Sequence, residues 1–438
     1  MLGKDRIVIL SPEARVVTKG EDALMHNLGN GAWCRVSNFA AGYFAKEGGI
    51  NLAKEAASLG SGDAVGMLRL AAELAEVGII VEKGNDGPCL RKGLDKAYLI
   101  VTRRCNLGCP SCYMGDAATS DYGRETVFES IGLLRAKRPS KVYVTGGEPC
   151  MRDDLAEIVE GLSGMNAVLC TNGTMPDRIP FEKLAESGAG LQISLESCSS
   201  ARHDALRGEG THALAAKSAR IGAQMGLKVE IVPTIDPRNS TDIEEMVGFA
   251  GSLGTGCHGS LLTSVGRGLG CGKPDKAGLL SMTVRYLESC LGRGEIQDDA
   301  VLEDIVPMLS KSSCGAGRRV VCFTGDAKAH PCHLLWDVPL ESFDIKWSVD
   351  QDSECRACDV RYLCGGGCRA AATANGGHDP NCDTYREIYS AFAWNWDDSK
   401  GVRSNLSTLE GHADGHTRCS IGGVQGGCED GHAQRFGC

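Results

Sequence analysis

Three closely spaced cysteines directly follow an apolar, β-branched run, and this pairing constrains the fold more than any other feature of the sequence. The run AYLIVT occupies residues 97–102, and Cys105, Cys109 and Cys112 come next, at spacings of four and three. The run has the length and residue types of a buried strand. Iron-sulfur cubanes are normally held by four thiolates, so three cysteines leave one iron open to another ligand.

Five more strand-like segments alternate with helical patterns up to residue 264. The strand candidates are KVYVTG, AVLCTNG, LQISLE, VEIVPTI and GSLLTS, and the helical segments include ETVFESIGLLRAK, DDLAEIVEGL, THALAAKSARIGAQMG and TDIEEMVGFAGSLG. Strands that alternate with helices indicate βα units and a parallel sheet. Six units are fewer than a full barrel requires, so the sequence predicts an α/β fold with a partial (β/α)6 barrel. Its chemistry is expected at the carboxyl ends of the strands.

Composition and charge exclude several classes of protein. The net charge of −10 disfavours a nucleic-acid surface, which needs a basic stripe. Neither a signal peptide nor an apolar run of about 18 residues is visible, which predicts a cytoplasmic protein with no membrane partner. Thiols stay reduced in the cytosol, so the 22 cysteines indicate metal binding or catalysis rather than disulfides.

A glycine-rich turn, TGGEP at residues 145–149, ends the second strand candidate. Together with CNLGCPSCYM at residues 105–114, this turn resembles the radical S-adenosylmethionine (SAM) superfamily. The resemblance implies that Cys105, Cys109 and Cys112 hold a catalytic [4Fe-4S] cluster, whose fourth iron is chelated by the amino and carboxylate groups of SAM. It also implies that the turn contacts the methionyl amine through Gly146, Gly147, Glu148 and Pro149.

Two further segments resemble the same family. ISLES at residues 193–197 and HDALRGEGTH at residues 203–212 are similar to its fourth strand and the Arg-Gly segment that follows. The resemblance makes Ser194 and Arg207 candidates for binding the SAM carboxylate or ribose. The family usually has an aromatic residue before the third cysteine, where this chain has Ser111. Tyr113, directly after that cysteine, is therefore the candidate aromatic contact to the cofactor.

A zinc site is the alternative for these cysteines. Structural zinc prefers four protein ligands, and Cys150, directly after the TGGEP turn, is the candidate fourth. A zinc site requires neither that turn nor six βα units, so the sequence favours the cluster.

A second group of cysteines resembles the SPASM extension that follows radical SAM barrels in peptide-modifying enzymes. CRACDVRYLCGGGC at residues 355–368 has the spacing C-x2-C-x5-C-x3-C. The resemblance implies two auxiliary [4Fe-4S] clusters, with Cys368 crossing over to the first set. The first cluster would be held by Cys314, Cys322, Cys332 and Cys368, and the second by Cys355, Cys358, Cys364 and Cys382. Ala327 departs from the family, which usually has a turn glycine there, and zinc ribbons are the alternative for the C-x2-C pair.

The first 90 residues predict a small domain of strands and helices. Two or three short strands precede the segment WCRVSNFAAGYFAKEG, which is predicted to be helical. A short helix from Leu52 and the helix AVGMLRLAAELAEVG follow, and IIVEK forms the last strand. The order resembles the winged-helix-like RiPP recognition element, which binds the leader of a ribosomally made peptide as an added strand. A DNA-binding winged helix is disfavoured, because the last helix has one arginine and two glutamates.

These features divide the chain into four predicted parts. Residues 1–90 are the leader-binding domain, residues 91–300 the radical SAM barrel, residues 301–396 the SPASM domain, and residues 397–438 a tail rich in glycine, histidine and cysteine. The tail has too little apolar content for a core of its own, which predicts disorder, although cysteine and histidine together can also bind a metal.

The combined resemblance implies a radical SAM peptide maturase with three [4Fe-4S] clusters. Its partners would be a ribosomally synthesised precursor peptide with a leader and an electron donor of the flavodoxin or ferredoxin type. A 5′-deoxyadenosyl radical would abstract hydrogen from the peptide, and a thioether or carbon–carbon cross-link would follow. A formylglycine-forming sulfatase-maturing enzyme, a peptide epimerase, a decarboxylating enzyme and a non-catalytic iron-sulfur redox sensor remain alternatives.

Overall fold

The computed structural model describes residues 7–85, 93–116, 118–272 and 309–397. The predicted tail at 397–438 falls outside these residues except for its first position, and residues 273–308, which include Cys290, also fall outside them. No helix among the described residues is long and apolar enough to cross a membrane.

The N-terminal part contains two small antiparallel sheets and three helices. One sheet has the strand order β5-β1-β6, and the other has the order β2-β3-β4. The elements are β1 (Ile7–Leu10), β2 (Ala14–Lys19), β3 (Asp22–Asn27), β4 (Trp33–Ser37), α1 (Asn38–Phe44), β5 (Ile50–Asn51), α2 (Leu52–Ser58), α3 (Ser61–Glu76) and β6 (Ile80–Glu82). Strands, helices and a final strand therefore follow one another as expected.

One element of this part was predicted wrongly. Residues 33–37 form β4, not the start of a helix, and β4 pairs antiparallel with β3. Trp33, Cys34 and Val36 are buried, and aromatic and β-branched residues suit a pleated, half-buried strand. The helix begins only after Ser37, whose hydroxyl accepts a hydrogen bond from the Ala40 N–H at 3.1 Å and caps the first turn.

The N-terminal part packs against the C-terminal cysteine-rich segment. Val17, Leu24 and Trp33 share one apolar cluster with residues from 349 to 394. Arg35 donates to the main-chain carbonyls of Trp394 and Trp396 at 2.9 and 2.7 Å. The two segments, distant in sequence, therefore share a buried core.

The central sheet has eight strands in the order β13-β11-β10-β9-β8-β7-β15-β16. All neighbours pair parallel except β15 and β16, so six βα strands form a partial barrel as predicted. Its strands are β7 (Lys96–Thr102), β8 (Lys141–Gly146), β9 (Ala167–Thr171), β10 (Gly190–Ile193), β11 (Val229–Ile231), β13 (Gly256–Cys257), β15 (Val320–Thr324) and β16 (Ala329–His330). Two more strands, β12 (Thr234–Ile235) and β14 (Ser260–Leu261), lie outside this sheet.

The helices of the barrel cover one face of this sheet. Alternate strand residues such as Leu99, Val144, Leu169 and Leu191 point to this face and are buried with the helices in the largest apolar cluster. The helices are α4 (Arg124–Lys137), α5 (Leu155–Gly161), α6 (Phe181–Ser187), α7 (Ser200–Arg207), α8 (Thr211–Gln224) and α9 (Ile243–Ser252).

The sixth predicted strand, GSLLTS at 259–264, is shorter and divided. Its Ser260–Leu261 pairs with β12 in a separate two-stranded ladder, whereas the preceding β13 pairs with β11 in the main sheet. Pro233, which lies between β11 and β12, cannot donate a ladder hydrogen bond, and the interruption occurs at that position.

The opposite edge of the sheet comes from the cysteine-rich segment. Strand β15, which contains Cys322, pairs parallel with β7 in the register Cys322 to Tyr98. Short helices follow: α10 (Ser353–Ala357), α11 (Arg361–Cys364), α12 (Arg369–Ala374) and α13 (Cys382–Trp394). The barrel sheet and the segment with the second group of cysteines are therefore joined by a continuous ladder.

Ala327 lies in the turn between β15 and β16 with a φ of 61°, in the left-handed region. The turn is closed by hydrogen bonds from Ala327 N to Thr324 O and from Thr324 N to Lys328 O, both 3.0 Å. Residues with a Cβ atom reach this region at a cost of about 1–2 kcal/mol. The position that departs from the family's turn glycine therefore has a backbone that favours glycine.

We expect Ala327→Gly to stabilise the protein by up to about 1 kcal/mol, because it removes the left-handed strain while adding chain entropy to the unfolded state. Anaerobic urea unfolding measures the difference. Ala329→Gly, in the facing strand of the same hairpin, is the matched control and should be destabilising. Equal destabilisation by both changes would contradict a strained turn at 327.

Candidate active site

The three cysteines of the first group lie together beyond the end of β7. Burial is the main cause that raises the pKa of the Cys105 thiol to about 11, with smaller contributions from the Glu148 carboxylate and the neighbouring Cys109 and Cys112 thiols. The Leu107 N–H points at the Cys105 sulfur at 3.4 Å. Thiols buried together resist ionisation unless a positive centre compensates the thiolates, as iron does in a cluster.

Within the part of the chain that the structure describes, no three His, Cys, Asp or Glu side chains converge tightly enough to hold a single metal ion. Cys150 also lies apart from the cysteine loop, because it is fully buried in the apolar cluster of the outer face, with its sulfur 3.5 Å from Thr171 Oγ1. In a [4Fe-4S] cubane each thiolate binds a different iron, so the cysteine sulfur atoms do not have to converge on one metal ion.

Backbone contact fixes the TGGEP turn against the cysteine loop. Gly147 N donates to Thr102 O at 2.9 Å, and Glu148 N donates to Arg104 O at 2.8 Å. A Cβ atom at Gly146 would lie 2.3 Å from Thr102 O, and one at Gly147 would lie 2.2 Å from Arg104 O. Only glycine allows so close an approach, and the contact is with backbone that cannot rotate away.

The Glu148 carboxylate is fully buried and joins the ends of two strands. It accepts hydrogen bonds from the Thr171 hydroxyl at 2.6 Å, the Asn172 N–H at 2.7 Å and the Cys150 N–H at 3.0 Å. These three donors use most of the acceptor capacity of a carboxylate. Glu148 therefore holds the rim of the site in place, in addition to its predicted contact with the methionyl amine.

Arg207 lies beside the cysteine loop and is paired with a carboxylate that sequence reasoning missed. Its Nε donates to Glu196 Oε1 at 2.7 Å, and Glu196 is buried. Burial raises the pKa of the Cys109 thiol, and the Arg207 guanidinium partly offsets this rise. Ser194, at the end of β10, donates its N–H to Thr171 O at 3.0 Å. Both residues predicted to bind SAM thus lie at the same rim as the cysteines.

Arg267 is the second residue that sequence reasoning missed. Its side-chain Nε donates to Cys109 O at 2.9 Å, and its main-chain N–H donates to Cys112 O at 2.9 Å. Gly266 has a φ of +54°, and a Cβ atom there would lie 2.4 Å from Tyr113 O. The repeated glycines in SVGRGLG, residues 264–270, are the sequence signal that could have predicted this close backbone contact.

Tyr113 is directed away from the surface. Its ring packs with Cys112 and Cys322 in one apolar cluster, and burial raises the pKa of its hydroxyl far above the usual range. Its predicted contact with the cofactor stays a prediction, and its ring meets the His333 ring with centroids 5.3 Å apart.

The second group of cysteines falls into two sets by mutual electrostatic influence. The nearby Cys314 and Cys332 thiols contribute to the raised pKa of Cys368, and the Cys332 thiol contributes to the raised pKa of Cys322. In the other set, Cys355 and Cys358 lie close to Cys364 and Cys382. Burial is the main cause of each raised pKa, and it raises those of Cys332, Cys355 and Cys368 to about 12.

The second set surrounds a cavity of about 400 Å³. All four thiol residues of this set line it, together with main chain from Gly366 and Gly377. Cys364 also accepts a hydrogen bond from the Gly367 N–H at 3.1 Å. Four cysteines around one cavity match the donor set and the space that a [4Fe-4S] cluster requires.

Part of this chain, residues 99–250, matches a known protein family. A family model described as the radical SAM superfamily matches residues 99–250, which contain the cysteine loop, the TGGEP turn and Arg207. This chain contains a radical SAM domain. That domain implies a [4Fe-4S] cluster and SAM, and the predicted radical SAM domain and partial barrel are confirmed.

Curated relatives extend the similarity beyond the radical SAM domain. PqqA peptide cyclase of Gluconobacter oxydans is 26% identical over 323 residues, which cover 65% of this chain and 87% of the relative. Mycofactocin maturase MftC of Mycobacterium tuberculosis is 26% identical over 339 residues, covering 69% and 84% respectively. These relatives support an enzyme of the peptide-modifying radical SAM type.

Solved structures share the fold. Streptococcus suis SuiB bound to S-adenosylmethionine has a TM-score of 0.55 at 17% identity and covers 85% of this chain and 99% of its own. The protein anSMEcpe with bound AdoMet and the Cp18Cys peptide has a TM-score of 0.51 at 16% identity and covers 73% and 100%.

We expect Gly147→Ala to disrupt the site, because the new methyl group would meet the Arg104 carbonyl and displace the TGGEP turn from the cysteine loop. SAM binding, measured by equilibrium dialysis of the iron-loaded protein, should weaken by roughly tenfold or more, as expected when such a backbone contact cannot relax. Gly132→Ala, in α4 with open space around it, is the matched control and should bind SAM normally. Normal binding by Gly147→Ala would contradict the described contact.

Proposed function

We propose that this protein is a radical SAM peptide maturase that forms an oxidative cross-link, a thioether or a carbon–carbon bond, in a ribosomally synthesised precursor peptide. The observation that carries the proposal is that strand β15, which contains Cys322 of the second cysteine group, pairs directly with β7, the strand that leads into the radical SAM cysteine loop. The similarity to PqqA peptide cyclase and mycofactocin maturase supports a peptide as substrate.

The residues around the cysteine loop have separate proposed roles in holding the cluster and SAM. Cys105, Cys109 and Cys112 would hold the site cluster, which together with SAM supplies a 5′-deoxyadenosyl radical when bound. The TGGEP turn, together with Ser194 and Arg207, would orient the methionyl and ribose groups of SAM. Arg207 also provides positive charge beside Cys109, where it favours the thiolate. Arg267 holds the loop backbone through two carbonyls.

The two other sets would hold auxiliary [4Fe-4S] clusters that take the second electron of the cross-linking reaction. Cys314, Cys322, Cys332 and Cys368 form the first proposed ligand set. Cys355, Cys358, Cys364 and Cys382 form the second, in agreement with the cavity that they line. A flavodoxin or ferredoxin type protein is the proposed electron donor, because the site cluster must first be reduced before it can cleave SAM.

The N-terminal part is the proposed leader-binding unit. Its two small sheets present strand edges to which an extended peptide can add by main-chain hydrogen bonds. Its packing against the cysteine-rich segment would place a bound leader on the same body as the proposed clusters. The domain limits 1–90, 91–300 and 301–396 stay part of this proposal.

Anaerobic reconstitution tests the catalytic centre. We expect about twelve iron atoms per chain in the native protein and about eight in the Cys105→Ala, Cys109→Ala, Cys112→Ala variant, because each cubane holds four. The variant should form no 5′-deoxyadenosine from SAM and dithionite, measured by chromatography. Cys198→Ala with Cys257→Ala is the matched control and should keep its iron and SAM cleavage. Zinc in place of iron, or full iron without SAM cleavage, would favour a structural protein or a redox sensor.

Paired substitutions test the crossing of Cys368. Cys314→Ala with Cys368→Ala removes two ligands of one proposed set, so about eight iron atoms should remain. Cys314→Ala with Cys382→Ala removes one ligand from each set and should disturb both auxiliary clusters, lowering the iron content further. Iron analysis with Mössbauer spectroscopy distinguishes the two. The reverse order of iron loss would show that Cys368 belongs to the second set.

A further inference from the structure

The Tyr113 ring is shared by two apolar clusters that contain cysteines of different groups. In one cluster it packs with Cys112 of the site loop and Cys322 of the first auxiliary set. The other cluster is formed by Val265, Leu335 and Ala370, and Tyr113 packs against it, as do Cys332 and Cys368 of that same auxiliary set. The Tyr113 side chain therefore extends from the site loop into the apolar layer that also includes three of the four proposed ligands of the first auxiliary cluster.

His333 completes the contact from the other side. It directly follows Cys332, as Tyr113 directly follows Cys112. The His333 and Tyr113 rings meet edge to face, with centroids 5.3 Å apart and an angle of 83° between their planes. The other face of His333 stacks on Tyr98 at 3.9 Å, which fixes its orientation. His333 Nδ1 is buried and has no hydrogen-bond partner within the described residues.

We infer that the Tyr113 and His333 rings form the electron-transfer contact between the site cluster and the first auxiliary cluster. The inference rests on the proposed function, since it requires both clusters. Electron tunnelling slows steeply with distance, and more steeply across gaps than through bonded atoms. A route from Cys112 through Tyr113 and His333 to Cys332 is bonded throughout except at one ring-to-ring contact.

The route has a defined place in the redox balance of the reaction. Cross-linking removes two electrons from the peptide: one leaves with the hydrogen atom taken by the deoxyadenosyl radical, and the other leaves when the new bond forms. The proton of the attacking group goes to water. The second electron would enter the first auxiliary cluster as a one-electron reduction. Tyr113 and His333 would then carry it to the oxidised site cluster. The same electron then serves the next reductive cleavage of SAM.

Leucine and phenylalanine substitutions at both positions test the route. The full-length, iron-loaded protein is mixed with S-adenosylhomocysteine, which has no sulfonium to cleave and marks the signal of the site cluster. A flash of deazaflavin photoreductant injects electrons, and freeze-quench electron paramagnetic resonance follows their redistribution among the clusters. We expect Tyr113→Leu and His333→Leu to slow the intramolecular phase by roughly tenfold or more, and the phenylalanine variants to stay within about twofold.

Tyr122→Leu is the matched control, because Tyr122 packs in the cluster with Cys112 and Cys322 but not in the one with Cys332. Its intramolecular phase should be unchanged. Iron content separates the two hypotheses: too little iron in the native protein contradicts the proposed clusters, whereas full iron with an unchanged rate in both leucine variants overturns the route. If Tyr113→Leu loses iron, the comparison of His333→Leu with His333→Phe tests the route instead. Iron loss in both leucine variants would also overturn the route, in favour of a purely structural role.

Discussion

The site depends on a backbone-to-backbone contact between the TGGEP turn and the start of the cysteine loop. Gly146 and Gly147 lie so close to Thr102 and Arg104 that no side chain fits between them. This contact aligns the ends of β7 and β8, and the buried Glu148 carboxylate extends the alignment to β9 through Thr171 and Asn172. The rim of the barrel is therefore rigid before any cofactor binds, as preorganised binding requires.

Charge around the cysteines is balanced by few groups. Burial raises the pKa of the Cys105 and Cys109 thiols, and the charge of the Arg207 guanidinium acts on both. Arg207 is itself held by the buried Glu196, so its guanidinium cannot move without breaking an ion pair. A fixed positive charge next to thiolates is suited to an anionic cluster and to the carboxylate of a bound amino acid.

Sequence reasoning located the barrel and the cysteine groups because these depend on local signals. The apolar runs, the helical periodicity and the TGGEP turn each lie within a few residues. It misread Trp33–Ser37, where an amphipathic pattern of five residues suited both a strand and a helix and only pairing with β3 decided the outcome. It missed Glu196 and Arg267, because their roles arise from contacts with Arg207 and with the cysteine loop, and one of these contacts spans more than 150 residues of chain.

The pairing of β15 with β7 makes the barrel inseparable from the segment that follows it. Strand β7 lies between β8 and β15, so every residue from Lys96 to Ile100 has a neighbour on both sides. A chain cut before Val320 would leave β7, an apolar strand at the centre of the core, as an open sheet edge with unpaired main-chain groups. Such edges recruit strands from other molecules and lead to aggregation. Proteolytic isolation of the radical SAM region alone would therefore yield an insoluble fragment rather than a minimal enzyme.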